Sequence, residues 1–215
     1  MAERYISMLS MPIVTLILLF PKEIALVVLG GTFETSAGPL RFLAVSMLLN
    51  LLNGVYASQI NAVNRPDISA KLTLMSLIVN LSLLALFIPT SIFGVTMLGL
   101  SSTGAAIANM IGVTVLFVTT RFIATRLTGT TSNPRILMHV LAAVLTGVGL
   151  LILANFWTIT RWFDLIGFGI VSVMIFSLIL FALRELTLND VRFFMSVVNP
   201  REMKDYISSE FKKKE

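Results

Sequence analysis

The forty-nine residues between Lys71 and Arg121 carry no formal charge. About 20 apolar residues cross the hydrocarbon core of a bilayer, so this stretch is too long for one crossing and long enough for two. The ranges 42–64, 136–160 and 165–183 also lack Asp, Glu, Lys and Arg. Charged residues make up 13% of the chain, against about 25% in a soluble domain. The sequence therefore predicts an all-α, polytopic membrane protein.

Hydropathy predicts six transmembrane helices and a separate tail. The predicted spans are 5–20, 42–63, 72–87, 104–120, 136–156 and 163–183. We expect the first span to be continued by 24–29, as one helix bent near Pro12 or Pro21. The third and fourth spans are joined by an uncharged loop at 91–103. The predicted organisation is a six-helix transmembrane lobe at 1–183 and an amphipathic tail at 184–215.

Basic residues segregate to alternate loops. If the amino terminus is cytoplasmic, thirteen of the sixteen Lys and Arg residues lie on the inner side, and Lys22, Arg41 and Arg161 lie on the outer side. Such a bias sets the orientation of membrane proteins. We therefore expect a multi-pass protein of the cytoplasmic membrane with both termini in the cytoplasm.

The tail combines apolar and basic residues at helical spacing. Met203, Tyr206, Ile207 and Phe211 share one helix face, and three lysines follow at 212–214. This pattern favours an amphipathic helix lying on an anionic inner leaflet. A solvated tail that packs on the cytoplasmic loops is the alternative.

Few residues are suited to catalysis or metal binding. The chain has no cysteine and one histidine, so thiolate sites and multi-histidine metal sites are excluded. All acidic residues lie outside the predicted spans or at their edges, which argues against a buried carboxylate relay. We expect no catalytic residue, metal or cofactor, and no enzyme activity. His139 is interpreted as an interfacial histidine bonded to a neighbour or to water, with a proton relay as the alternative.

Uncharged amides mark the candidate site. Asn50, Asn53, Ser58 and Asn61 fall near one face of the second span, and two further amides lie in the third and fourth spans, Asn80 and Asn109. Amides in a bilayer must face other helices or water. Two interpretations stay open: hydrogen bonds that hold the bundle together, or the polar wall of a cavity that admits a polar head group.

Several short motifs occur in an order typical of one transporter family. They are Phe20-Pro21-Lys22-Glu23-Ile24, Gly31-Thr32-Phe33, Ala37-Gly38-Pro39-Leu40-Arg41-Phe42-Leu43, Ile60-Asn61-Ala62-Val63-Asn64-Arg65-Pro66, Asn80-Leu81, Ile88-Pro89 and Thr103-Gly104-Ala105-Ala106-Ile107-Ala108. Over about the first 125 residues the chain resembles the carboxy-terminal half of the polysaccharide biosynthesis flippases, in the multidrug/oligosaccharidyl-lipid/polysaccharide flippase superfamily. Two features differ from that family. The segment 90–102 is longer than the usual turn, and six spans are present where family members have twelve or more in two lobes.

The resemblance implies one lobe of a flippase for lipid-linked oligosaccharide. Two lobes would rock about a central cavity, so a separate amino-terminal lobe or a second copy of the chain is an expected partner, together with membrane lipid. Arg41 and Arg121, near the two mouths, are candidates for attracting a polyprenyl phosphate. A small-molecule or multidrug exporter of the same fold is an alternative, as is a non-transporting subunit or a truncated half-protein. Nucleic acid is not an expected partner, because the basic residues flank membrane spans.

Overall fold

The computed structural model describes residues 2–92, 95–129, 136–187 and 190. By its internal contacts the chain divides into two compact units, Met1–Phe176 and Ser177–Glu215. The helices are α1 (Ala2–Leu19), α2 (Pro21–Leu29), α3 (Ala37–Ala62), α4 (Pro66–Phe87), α5 (Ser101–Thr128), α6 (Ile136–Ala154) and α7 (Trp162–Ala182), with a 3₁₀ helix at Gly31–Ser36. Two two-residue strands, β1 (Ser91–Ile92) and β2 (Val95–Thr96), lie between α4 and α5.

Six helices in the described part of the chain are long and apolar enough to cross a membrane. They are α1, α3 with the preceding 3₁₀ turn, α4, α5, α6 and α7. A helix satisfies its backbone hydrogen bonds within one segment, and this makes it the structure that an apolar chain adopts in lipid. The prediction of an all-α polytopic membrane protein with six spans is confirmed.

Proline sets the break after the first span. Helix α1 continues through Pro12 and ends before Phe20, whose backbone is non-helical (φ −118°, ψ 46°). Pro21 is the first residue of α2, a position where its missing N–H is not needed and its fixed φ suits the helix. The interruption therefore lies at the second of the two prolines that the sequence indicated.

The chain turns directly after the second span. Asn64 adopts a left-handed conformation (φ 55°), which asparagine tolerates better than most residues. Arg65 follows, and Pro66 begins α4. The reversal between α3 and α4 is thus encoded by Asn64 and Pro66.

The uncharged loop between α4 and α5 contains a small hairpin that the sequence did not predict. Strands β1 and β2 pair in antiparallel fashion, Ser91 opposite Thr96. The backbone N–H of Met97 donates to the carbonyl of Thr90 at 2.9 Å, and that of Gly99 donates to the carbonyl of Pro89 at 2.9 Å. These bonds return the chain to the end of α4, so that α5 begins close to where α4 ends.

Helix α7 begins at an acidic cap. One oxygen of Asp164, Oδ2, accepts hydrogen bonds from the backbone N–H of Thr160 (3.1 Å) and of Arg161 (2.9 Å). The other, Oδ1, accepts from Nε1 of Trp157 at 3.1 Å. A side chain in the first turn that reaches back to the preceding N–H groups satisfies donors that the helix leaves open. The carboxylate therefore fixes the loop between α6 and α7.

Within Met1–Phe176, α1 packs against α3 and α6, while α5 packs against α3 and α4. Two apolar clusters occupy opposite ends of these helices. One contains Tyr56 and Ile60 late in α3 and Ala124 late in α5, with Ile6 early in α1 packed against them. The other contains residues from the ends of α1 and α6 and from the start of α7, namely Leu16, Phe20, Leu150, Ile159 and Phe168. Each cluster therefore groups the starts of some helices with the ends of others. This is the arrangement expected when successive spans alternate in direction.

Little of the second unit is described. The last turn of α7 ends at Ala182, and Arg184 follows in a left-handed conformation (φ 57°). Asp190 Oδ2 accepts hydrogen bonds from the N–H of Thr187 (2.9 Å) and from its hydroxyl (2.7 Å). The predicted amphipathic helix around 199–211 lies outside the described residues, and the predicted boundary at 183 and 184 stays a prediction.

Candidate functional site

Helix α3 has an exposed polar stripe. Asn50, Gly54, Ser58 and Asn61 are all exposed, and their spacing of four, four and three places them on one helix face. On the opposite side, Leu52, Tyr56 and Ile60 are buried. We call the four exposed residues the α3 stripe. They are three polar side chains and a glycine on a helix that crosses the membrane.

The two amides of the stripe are the unusual part. The hydroxyl of Ser58 donates to the carbonyls of Gly54 and Val55 of its own helix, each at 2.9 Å, so it can face lipid at little cost. In the described structure no hydrogen bond joins the side-chain amide of Asn50 or Asn61 to another group. Transferring an amide to hydrocarbon without a partner costs about 4–8 kcal/mol. This face therefore requires water or another polypeptide.

Asn50 lies at the depth where this requirement is strongest. Helix α3 has 26 residues, which at 1.5 Å per residue makes it about 39 Å long. Asn50 is near its middle, whereas Asn61 is at its end. Because the hydrocarbon core is about 30 Å thick, Asn50 falls near the bilayer centre and Asn61 near a surface.

The other predicted amides lie elsewhere. Asn53 is half-buried, and its Oδ1 is fully buried with no hydrogen-bond partner among the described residues. Asn80 lies in the α4–α5 contact, where a Cβ on Gly112 would come within 3.0 Å of the Asn80 Cβ. Asn109 is half-buried and lies one turn before Gly112 on the same side of α5. The structure thus brings Asn50, Ser58 and Asn61 together on one surface and places Asn80 and Asn109 near a helix interface.

The two predicted phosphate-attracting arginines differ in environment. Arg41 is exposed in the first turns of α3. Arg121 forms an ion pair with Glu3, with Nη2 3.8 Å from Oε1, and these side chains are only 25% and 15% exposed. Its guanidinium lies 5.6 Å from the ring centre of Tyr56 and 5.8 Å from that of Phe117. We call Glu3, Tyr56, Phe117 and Arg121 the Arg121 cluster, which joins α1, α3 and α5.

Glu3 was not singled out from the sequence. The first span was predicted to begin at residue 5, which left Glu3 outside the membrane segment, whereas α1 begins at Ala2. Asp164 was placed at a span edge and is 7% exposed within α7. One feature of the sequence could have indicated the contact of Glu3 with Arg121. Both residues lie at the predicted cytoplasmic ends of spans.

His139 joins two helices. The hydroxyl of Ser7 donates to the carbonyl of Arg4 at 2.9 Å and lies within hydrogen-bonding distance of His139 Nδ1. Which of the two groups donates this bond depends on the tautomer of the imidazole. Both side chains are almost fully buried, so the pair links α1 to α6. The described ranges contain no group of three His, Cys, Asp or Glu residues that could hold a metal ion.

These features define the class of the molecule. The described fold is that of a polytopic α-helical protein embedded in a membrane by six apolar helices. No family model, no curated protein and no solved structure matches the chain. The α3 stripe is the feature of this fold from which a function can be argued.

Proposed function

We propose that the chain is one lobe of a transporter that moves lipid-linked oligosaccharide across the cytoplasmic membrane. The carrying observation is Asn50, an amide near the bilayer centre that is exposed on the surface of the described structure. The resemblance of the first 125 residues to polysaccharide flippases supports the same proposal. In it, the α3 stripe is one wall of a polar pathway.

The chemistry of the stripe suits a sugar. Amides and hydroxyls donate and accept hydrogen bonds without carrying charge, and this matches the hydroxyl groups of a neutral glycan. A pathway selective for cationic drugs would need acidic groups, and the stripe contains none. Oligosaccharide is therefore favoured over the multidrug alternative.

In this proposal, the exposed α3 stripe is the surface that a partner lobe would cover. A second six-helix lobe or a second copy of the chain would cover the exposed face of α3 and enclose water between the two. Rocking of two lobes about such a site is the usual mechanism of alternating access. Arg41, which is exposed at one end of α3, would attract the phosphate of the carrier lipid. Arg121 would bind phosphate only if the phosphate displaced the carboxylate of Glu3.

Cysteine accessibility tests whether the stripe faces water. The chain has no cysteine, so single variants need no prior engineering. In native membranes we expect a water-soluble, membrane-impermeant maleimide to label Asn50→Cys and Ser58→Cys. Leu51→Cys is the matched control, because Leu51 is 42% exposed at the same depth but on a neighbouring face. Equal labelling at Asn50 and Leu51 would contradict a polar pathway along the stripe.

The substrate is tested in cells that lack the gene. We expect these cells to accumulate lipid-linked oligosaccharide at the inner face of the membrane. The wild-type chain and Leu51→Ala should restore export, whereas Asn50→Leu should not. Normal glycolipid export in the deleted cells would overturn the proposal, and selective accumulation of a cationic dye would support the multidrug alternative instead.

A further inference from the structure

An apolar groove of 410 Å³ runs between α1 and α6. Its walls extend from Met11 to Leu19 on α1 and from Val140 to Leu151 on α6, and Leu48 of α3 completes the lining. Thr15 is the one lining residue with a polar side chain, and its hydroxyl donates to the carbonyl of Met11 at 2.8 Å. The groove therefore offers no free hydrogen-bonding side chain, and only a hydrocarbon ligand suits it.

A glycine forms the floor of the groove. Gly147 is buried, and a Cβ at this position would lie 3.5 Å from side-chain atoms of Leu19 and Thr15. Helices α1 and α6 therefore approach closely at Gly147. The more exposed side chains of Leu18, Val144 and Val148 stand at the walls. These residues therefore form an open apolar slot between the two helices.

The groove is about half as long as the hydrocarbon core is thick. From Val140 to Leu151 α6 rises by about 16 Å at 1.5 Å per residue. The hydrocarbon core is about 30 Å thick, so the groove spans about half of it. Helices α1 and α6 are both candidate membrane spans, and lipid is the surrounding medium. One acyl chain fits this length, whereas a chain that crosses the whole bilayer does not.

The first charged residue of the chain beyond the α1 wall of the groove is Lys22. Lys22 follows Leu19 by three residues, and its Nζ lies 3.8 Å from Glu34 Oε1 with both side chains more than half exposed. Such an exposed pair is weak, so a phosphate group can compete with Glu34 for Lys22. At the Val140 end of the groove, the preceding residue is His139, whose side chain is hydrogen-bonded to Ser7. A head group is therefore accommodated at the Lys22 end.

We infer that this groove binds one acyl chain of an anionic phospholipid, with the lipid phosphate at Lys22. The site lies on a different surface from the α3 stripe and does not depend on the proposed transport. Its occupant is a resident lipid of the bilayer, which would fill the space between α1 and α6.

Photolabelling tests the site. The purified full chain is placed in vesicles that contain phosphatidylglycerol with a diazirine on its acyl chain, irradiated, and mapped by mass spectrometry. We expect labels concentrated at Leu18, Val144 and Val148. Val144→Trp should fill the groove and abolish this labelling. Leu145→Trp is the control, because Leu145 is 46% exposed on α6 but does not line the groove. Val148→Trp replaces Val144→Trp if the latter does not fold.

Lys22→Gln tests the head-group end. One lysine near the surface contributes about 1 kcal/mol to binding an anionic lipid, so labelling by the phosphatidylglycerol probe should fall about fivefold. Labelling by a diacylglycerol probe with the same diazirine should not change, because diacylglycerol has no phosphate. The inference is overturned if labels are as frequent at Leu145 as in the groove, or if Val144→Trp and Val148→Trp leave labelling unchanged. It is also overturned if a diazirine-bearing polyprenyl phosphate labels the groove and phosphatidylglycerol does not.

Discussion

Arg121 illustrates how a single charged residue is held among membrane helices. Its guanidinium meets the Glu3 carboxylate at 3.8 Å and lies over the rings of Tyr56 and Phe117. Aromatic rings stabilise a cation through their negative faces. Removing one partner from a buried charge pair leaves the other without compensation, and this is more destabilising than removing both. The Arg121 cluster therefore holds the start of α1 against α3 and α5.

We predict that Arg121→Ala lowers the free energy of unfolding by about 1–3 kcal/mol, because the Glu3 carboxylate loses its cation while it stays largely buried. The double variant Glu3→Gln/Arg121→Ala should recover part of this loss. Titration with a denaturing detergent in mixed micelles measures the free energy of unfolding of the single and of the double variant.

Arg126→Ala is the control for this prediction. Arg126 is exposed and stacks on Phe122 at 4.3 Å, so its removal should cost about 1 kcal/mol or less. A double variant that is no more stable than Arg121→Ala would contradict the stated role of the ion pair.

At the scale of elements, small residues determine how α4 and α5 meet. A Cβ on Gly104 would lie 2.7 Å from the backbone carbonyl oxygen of Phe87. Further along, the hydroxyl of Ser76 donates to the carbonyl of Gly112 at 2.7 Å. Small side chains let membrane helices approach closely, and hydroxyl groups then bond across the interface. The run of small residues at the start of α5 is thus a packing surface.

We predict that Gly104→Ala lowers the free energy of unfolding by about 1–3 kcal/mol, because the added methyl group meets a backbone atom that cannot rotate away. Gly54→Ala is the matched control, since a Cβ at Gly54 meets no atom within 4 Å. The same detergent titration compares the two. If Gly54→Ala destabilises as much as Gly104→Ala, helix packing at Gly104 is not the cause.

At the scale of the molecule, the six apolar helices found in the described ranges have one consequence for topology. An even number of crossings returns the chain to the side on which it began. Two apolar clusters among the described residues of Met1–Phe176 support this alternation of direction. Each cluster groups the starts of some helices with the ends of others, as crossings in alternate directions would place them. The distribution of Lys and Arg predicts that this side is the cytoplasm.

We predict that a fluorescent protein that folds only in the cytoplasm will fluoresce when fused to either terminus. The same protein inserted between Trp157 and Thr160, in the loop that joins α6 to α7, should not fluoresce. Western blots of the fusions control for expression. Fluorescence from one terminus only would contradict six crossings.

Sequence alone was sufficient for the number and type of spans. A chain in hydrocarbon must satisfy its backbone within helices, so long uncharged runs identify spans directly. Pro21 was one of the two positions at which the first helix was expected to bend, and the helix is interrupted there. Helix α4 begins at Pro66, six residues before the predicted span, because proline lacks the N–H that a first-turn residue does not need. The hairpin of β1 and β2 was missed, since two-residue strands leave no periodic pattern.

The tertiary structure decided which residues meet. Asn50, Asn53 and Asn61 were grouped from spacing, yet Asn53 is half-buried while Asn50 and Asn61 are exposed. Membrane helices are apolar on nearly all faces, so the pattern of apolar residues does not show which face packs against the protein. The Glu3–Arg121 and Ser7–His139 pairs and the groove along Gly147 join residues more than a hundred positions apart. Such contacts follow from the rotation and neighbours of each helix, which hydropathy does not encode.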